Sequence, residues 1–182
     1  MSDRQLIIVC GPSAGGKTTI TKDVLADIPE LCSQTTREPR EGEVPGTTYY
    51  YVSEEEFFEK DLVEQAPHED YYYGLGREEI EEKYNQSEDG IVFVIMNKDG
   101  IEQMKENYDN DEITVVYVYA KRSECFNRMI EYRDWSEERA NKRLDFDKTV
   151  DMWHLYNLAD HTIYNHDGQL NYAKEKMKSI VK

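Results

Sequence analysis

The densest chemistry in this chain lies near its start, where Gly11-Pro12-Ser13-Ala14-Gly15-Gly16-Lys17-Thr18 fits the pattern G-x-x-x-x-G-K-[ST]. Glycines at these spacings let the backbone curl until successive N–H groups point at one anion. Lys17 adds a compact charge for the outer phosphates of a nucleotide, and Thr18 offers a hydroxyl to a divalent cation. The loop alone implies nucleotide binding and leaves a kinase, a GTPase and a motor equally open. A second group follows about twenty residues later. Arg37 and Arg40 stand three apart around Pro39, so two planar guanidinium forks can converge on one phosphate. Tyr49 and Tyr73 can add neutral hydroxyl donors.

These groups need rigid elements behind them. Gln5-Leu6-Ile7-Ile8-Val9-Cys10 is a short apolar run that reads as a buried strand feeding the loop. A helix is expected from Lys17, with Ile20, Val24, Leu25 and Ile28 on one face and Pro29 beyond its end. Residues 31–35 and 49–52 read as strands. Ser53 with Glu56 three residues on has the form of a capping box. Residues 62–66 and 71–73 read as further short strands and 77–86 as a charged helix. The β-branched runs at 91–96 and 113–119 read as buried parallel strands around a helix near 99–107. Helices are expected over 123–132 and 136–158, flanking a polar break at 133–135, then a strand over 161–164 and a helix over 169–181. Strands alternating with helices imply an α/β fold with a mostly parallel sheet, and the strand-rich interval at 33–73 reads as a small insertion.

Composition narrows the partners. The 182 residues carry 38 Asp and Glu against 22 Lys and Arg, for a net charge of −16. Residues 53–89 alone hold 14 acidic against three basic side chains. Such a field repels polyanions and argues against nucleic acid or an acidic membrane as partner, so an anionic substrate must be held by local cations and a metal ion. No apolar stretch approaches the roughly 20 residues that span a bilayer, and a cytoplasmic protein is expected. Cys10, Cys32 and Cys125 lack any paired spacing and read as small core residues. The four histidines show no metal spacing.

The segment Ser33-Gln34-Thr35-Thr36-Arg37-Glu38-Pro39-Arg40-Glu41-Gly42-Glu43-Val44-Pro45-Gly46, with Tyr49-Tyr50-Tyr51-Val52-Ser53 after it, resembles the acceptor-binding segment of guanylate kinases, S-x-T-T-R-x-P-R-x-G-E-x-x-G-x-x-Y-x-F-V-S. Tyr51 stands where that pattern has Phe. The resemblance extends over nearly the whole chain. Leu62-Val63-Glu64-Gln65-Ala66 and Tyr72-Tyr73-Gly74 resemble the family's F-x-E-x-A and Y-Y-G. Arg133, Ser136-Glu137-Glu138 and Lys142-Arg143-Leu144 resemble its mobile lid, and Asn165-His166-Asp167 the end of its late strand beside adenine.

The resemblance implies a P-loop NTPase-type parallel sheet flanked by helices, with an inserted β-rich acceptor-binding region and a helical lid. It implies a single domain over 1–182, with core 1–32, 87–130 and 145–182, acceptor region 33–86 and lid 131–144. It implies phosphoryl transfer from ATP to GMP or dGMP with Mg²⁺, through Lys17, Arg133 and Arg143 as catalytic residues. ATP would be held by Gly11, Ser13, Ala14, Gly15, Gly16, Lys17, Thr18, Thr19 and Asn165, with Thr18 on the metal. The acceptor would be held by Ser33, Arg37, Arg40, Tyr49, Glu64, Tyr73 and Asn97. Glu64 is the carboxylate expected on the guanine N1–H and N2–H₂ donors. A phosphate-oxygen nucleophile needs no general base, so positioning and charge neutralisation suffice. The chain departs from the family pattern at Leu75, where a hydroxyl is usual, and at Ile95 and Asn97, where carboxylates are usual. Asp134 replaces a lid glycine, and Ala14-Gly15 reverses the usual Gly-Ala. A same-fold kinase with a different or relaxed acceptor base, and a non-catalytic binding module, are the alternatives these departures raise.

Overall fold

The apolar run at the start forms β1 (Gln5–Cys10), with its last five residues fully buried. The computed structural model describes residues 4–68, 70–108 and 112–181, with His68 and Glu112 described through their backbone alone. Contacts divide the chain into two compact units, Met1–Leu6, Ile28–Val94 and Asp99–Ile113 in the first, Ile7–Asp27, Ile95–Lys98 and Thr114–Lys182 in the second.

In the second unit, α1 (Lys17–Val24) begins directly on the glycine loop. It stops short of Ile28, and Leu25 closes its last turn through its N–H to the Thr21 carbonyl. β7 (Glu112–Tyr119) and β8 (His161–Tyr164) pair in parallel, Val116 opposite His161 and Tyr119 opposite Tyr164. The sheet of this unit runs in the order β1-β7-β8; β6 spans Ile91–Ile95. α5 (Arg122–Arg133) and α6 (Glu137–Thr149) pack through Cys125, Met129, Ala140 and Leu144. α7 (Leu170–Ile180) lies against α1, where Lys174 pairs with Asp23 at 3.0 Å.

The helix expected over 136–158 ends at Thr149. Asp151 takes a left-handed φ of 55°, its N–H bonds the Lys148 carbonyl and the Met152 N–H bonds the Asp147 carbonyl. That is a Schellman closure without glycine. Tertiary bonds then capture the following residues: the Tyr117 hydroxyl donates to the Met152 carbonyl and the Trp153 indole to the Ala120 carbonyl, both at 3.1 Å. Only a short 3-10 turn, Leu155–Asn157, remains of the expected continuation.

The first unit holds a four-stranded sheet in the order β3-β2-β5-β4, built from β2 (Gln34–Thr35), β3 (Tyr50–Tyr51), β4 (Leu62–His68) and β5 (Tyr71–Gly76). β2 is shorter than the expected 31–35 because Leu31 directs its N–H to the Phe93 carbonyl. β4 and β5 form an antiparallel hairpin whose register shifts between Leu62 and Glu64. α2 (Glu54–Glu59) carries the expected capping box, with the Glu56 N–H on Ser53 Oγ and Glu56 Oε2 on the Ser53 N–H. α3 (Arg77–Gln86) and α4 (Lys98–Asn107) follow. All three cysteines are buried, and none forms a disulfide among the described residues. Among the described residues, no helix is long and apolar enough to cross a membrane.

Candidate active site

The phosphate loop takes its shape from two left-handed glycines. Gly11 has φ 138° and lies against the Val118 carbonyl; Gly16 has φ 101° and lies against Asn165 Nδ2. A Cβ at either position would collide with that neighbour, so only glycine fits. Lys17 arches back over the loop, and its Nζ donates to the carbonyls of Gly11 at 2.7 Å and Pro12 at 2.9 Å. Burial lowers the pKa of this ammonium to about 8, against the opposing pull of the Asp147 carboxylate. The first turn of α1 carries no acidic side chain and no side-chain cap. Its N–H groups and positive end are therefore available to an anion.

Loop and pocket meet in a cavity of about 610 Å³. Its lining brings together Ser13, Ala14, Gly16, Lys17, Thr18, Thr19, Arg133 and Asn165, with Arg128, Tyr132 and His166. Asn165 is buried, and its Nδ2 donates to the Gly15 carbonyl at 2.8 Å. Arg128 ties the same parts together, donating to the Asn165 carbonyl at 2.7 Å and pairing with Asp167 at 2.9 Å. Arg133 lies 5.5 Å from the Trp135 ring centre. Asn97 is exposed beyond the end of β6 and does not line this cavity.

Asp147, on α6, is a residue that motif reading misses. It is 1% exposed, accepts the Ser13 N–H at 2.6 Å and the Ser13 hydroxyl at 3.0 Å, and pairs with Arg143 at 3.3 Å. Arg143 Nε in turn donates to Ser13 Oγ at 2.7 Å. One buried carboxylate thus fixes the first bend of the loop and the base of Arg143. A charge-assisted hydrogen bond is worth about 1.5–3 kcal/mol. Asp147→Asn preserves volume but removes the charge, so kcat/KM for ATP should fall roughly ten- to a hundredfold by the same scale, measured at saturating acceptor.

The first unit holds the other constellation. Arg37 is 6% exposed and nearly saturated with bonds. Its Nε donates to the Tyr73 hydroxyl at 3.0 Å, Nη1 to the Glu38 carbonyl at 2.8 Å, and both Nη atoms to the Glu43 carboxylate at 2.9 and 3.0 Å. Glu43 also accepts the Arg40 N–H at 2.8 Å and the Tyr51 hydroxyl at 2.9 Å, and these donors with the Arg37 fork hold its pKa down at about 2. Tyr49 stands edge-on to Tyr73 and Tyr51, and the Arg37 guanidinium lies 5.6 Å from its ring centre. Arg40 extends an exposed side chain from the same turn, and Ser33 is half-buried beside β2. Glu43 and Tyr51 were not among the expected site residues, although Glu43 sits in the matched segment; its distances of six and three residues from Arg37 and Arg40 were the available signal.

Glu64 sits opposite Leu75 across the hairpin. Directly opposed residues share a face, and Leu75 is fully buried with no group to hydrogen-bond. Burial alone pushes the Glu64 carboxyl up to about 7. Among the described residues no charged group contributes to that shift.

A family model for guanylate kinase matches residues 3–182. The guanylate kinase of Clostridium tetani is 33% identical over 183 residues, covering 97% of this chain and 84% of its own. That of Helicobacter pylori is 35% identical over 189 residues, covering 100% and 88%. This chain belongs to the guanylate kinase family. The fold agrees independently: the crystal structure of guanylate kinase from Anaplasma phagocytophilum superposes with a TM-score of 0.67 at 18% identity, over 100% of this chain and 86% of that one. Against the family pattern, Leu75 faces Glu64 from a fully buried position and Asn97 is solvent-exposed. The Lys17 loop and the Arg37–Tyr73 contact keep the pattern's residues.

Proposed function

We propose that this protein transfers the terminal phosphoryl group of ATP directly to GMP or dGMP, yielding ADP and GDP or dGDP. The observation that carries this reading is an intact phosphate loop, with Lys17 seated on its carbonyls and an uncapped helix start, in a member of a phosphotransferase family.

The donor's phosphates would lie in the loop, under the N–H groups of residues 14–18 and against Lys17. No group of three or more His, Cys, Asp or Glu side chains capable of holding a metal exists among the described residues. The donor set fits an ion carried mainly by the nucleotide, with the exposed Thr18 hydroxyl as its protein ligand, as is usual for Mg²⁺. Held there, Mg²⁺ would supply charge neutralisation to the phosphates of the nucleotide. Arg143, footed on Ser13 and Asp147, and Arg133, in the cavity lining, would neutralise the moving phosphoryl group. Residues 131–144 would close as a lid and exclude water.

The acceptor's phosphate would meet the Arg40 guanidinium, the hydroxyls of Tyr49 and Tyr73, and the one Nη2 proton of Arg37 that Glu43 leaves over. Glu43 accordingly orients Arg37 instead of competing with it. Glu64 would accept N1–H and N2–H₂ of guanine, the common base that offers two adjacent donors to one carboxylate. Ser33 would add a hydroxyl.

The Glu64 assignment has a pH signature. With a pKa near 7 in the free protein, the carboxylate that guanine needs is a minority below that pH and the majority above it. The kcat/KM for GMP should therefore rise about tenfold per unit between pH 6 and 7, more steeply below about 6 where the phosphate of GMP also takes up a proton, and level off above 8. Glu64→Gln should lose that step and retain only the phosphate's own titration near pH 6. A profile identical in both proteins would contradict the assignment.

Turnover of GMP, dGMP, AMP, UMP and dTMP with ATP and Mg²⁺ tests the whole reading. GMP and dGMP should lead. Comparable rates with several bases would favour a relaxed acceptor site, for which the buried, apolar Leu75 beside Glu64 is the motive. Strong turnover of a pyrimidine alone would remove the guanine claim.

A further inference from the structure

β4 is an outer strand, paired among the described residues only with β5. Its free edge would ordinarily leave backbone N–H and C=O groups without partners. α4 supplies them from side chains. Gln103 Oε1 accepts the Gln65 N–H at 3.0 Å, and Gln103 Nε2 donates to the Gln65 carbonyl at 3.0 Å. Asn107 Nδ2 donates to the Val63 carbonyl at 3.0 Å. A primary amide offers one acceptor and one donor side by side, so Gln103 does for Gln65 what a neighbouring strand would do.

The positions of these bonds matter more than their number. The Val63 carbonyl belongs to the peptide plane before Glu64, and the Gln65 N–H to the plane after it. Pinning both planes fixes φ and ψ of Glu64, and with them the direction of its Cα–Cβ bond. The pinning falls where it is needed, because the hairpin register slips between Leu62 and Glu64 and the ladder to β5 is interrupted there. The far end of α4 is itself tethered: Arg77 Nη2 donates to the Asn107 carbonyl at 3.0 Å while its Nε pairs with Asp61 at 3.0 Å.

We propose that Gln103 and Asn107 are positioning residues for base selection, holding Glu64 at the angle from which one carboxylate receives both guanine donors. This rests on the acceptor reading given above. Two donors demand a defined carboxylate orientation and one does not, so the brace should act on discrimination between GMP and IMP, which lacks the exocyclic amine.

The test is kcat/KM for GMP and for IMP, with ATP saturating, in the wild type, in Gln103→Leu/Asn107→Leu and in Gln103→Glu. The double variant should lower the GMP:IMP ratio about fivefold or more through a higher KM for GMP, leaving kcat and the KM for ATP within about twofold. Gln103→Glu keeps the size and the acceptor for the Gln65 N–H but sets a carboxylate against the Gln65 carbonyl. Its ratio should fall between the other two, and it decides the question should the double variant fold poorly. An unchanged ratio in these variants, beside a large ratio in the wild type, would overturn the brace alone. A wild-type ratio near one would instead overturn the guanine role of Glu64 and the brace with it.

Discussion

Lys17→Met should abolish phosphoryl transfer, lowering kcat by about three orders of magnitude or more while the protein remains folded. Charge that neutralises a transferred phosphoryl group is worth about 10³–10⁵ in rate when supplied by a single well-placed cation, and a preorganised donor about 10²–10³. Lys17 is the cation that the loop itself carries, and in the empty protein its ammonium is parked on the Gly11 and Pro12 carbonyls. Methionine matches the length and flexibility of the stem, so packing beneath the loop is retained. Because burial already disfavours the charged form of Lys17, removing the ammonium relieves a cost as it deletes two hydrogen bonds, and Tm should move little. Calorimetry beside a steady-state assay separates the two effects. Activity within about tenfold of the wild type would remove Lys17 from the chemistry.

Arg37→Met should act on the other substrate. It is expected to raise the KM for GMP about a hundredfold or more, with the KM for ATP nearly unchanged, and to lower Tm. The scale follows from losing a guanidinium whose contacts organise the site. Arg37 bonds Tyr73, the Glu38 carbonyl and both oxygens of Glu43 at once, so its removal leaves the Glu43 carboxylate facing only the Arg40 N–H and the Tyr51 hydroxyl. The double variant Arg37→Met/Glu43→Gln distinguishes stability from binding: neutralising the stranded carboxylate should recover much of Tm but none of the affinity for GMP. Recovery of affinity in the double variant would mean that Glu43, and not the loss of Arg37, had blocked the acceptor.

What could be read in advance depended on how far apart the cooperating residues lie along the chain. The phosphate loop was legible because its parts are eight consecutive residues whose glycines have one structural use. β1, the Ser53–Glu56 capping box and α3 were legible for the same reason, each being specified within a few residues. Asp147 was not, since it meets Ser13 across 134 positions and nothing local distinguishes it from Asp145 on the same helix. The end of α6 escaped because the left-handed residue is Asp151 where glycine is the usual signal, and because the bonds that capture Met152 and Trp153 come from Tyr117 and Ala120. The spacing of Arg37 and Arg40 suggested two forks converging on one phosphate, but the donor fork of Arg37 is turned onto Glu43, an orientation that depends on a folded turn and three tyrosines. The brace on Glu64 is a contact between side chains and a strand edge, and no residue pattern announces it.

The transfer itself is followed most directly by ³¹P spectroscopy of a single mixture of the protein with ATP, Mg²⁺ and GMP. Signals of ADP and GDP should grow together in a one-to-one ratio, with no inorganic phosphate, until the four nucleotides reach equilibrium. ADP appearing with inorganic phosphate and without GDP would contradict direct transfer to the acceptor.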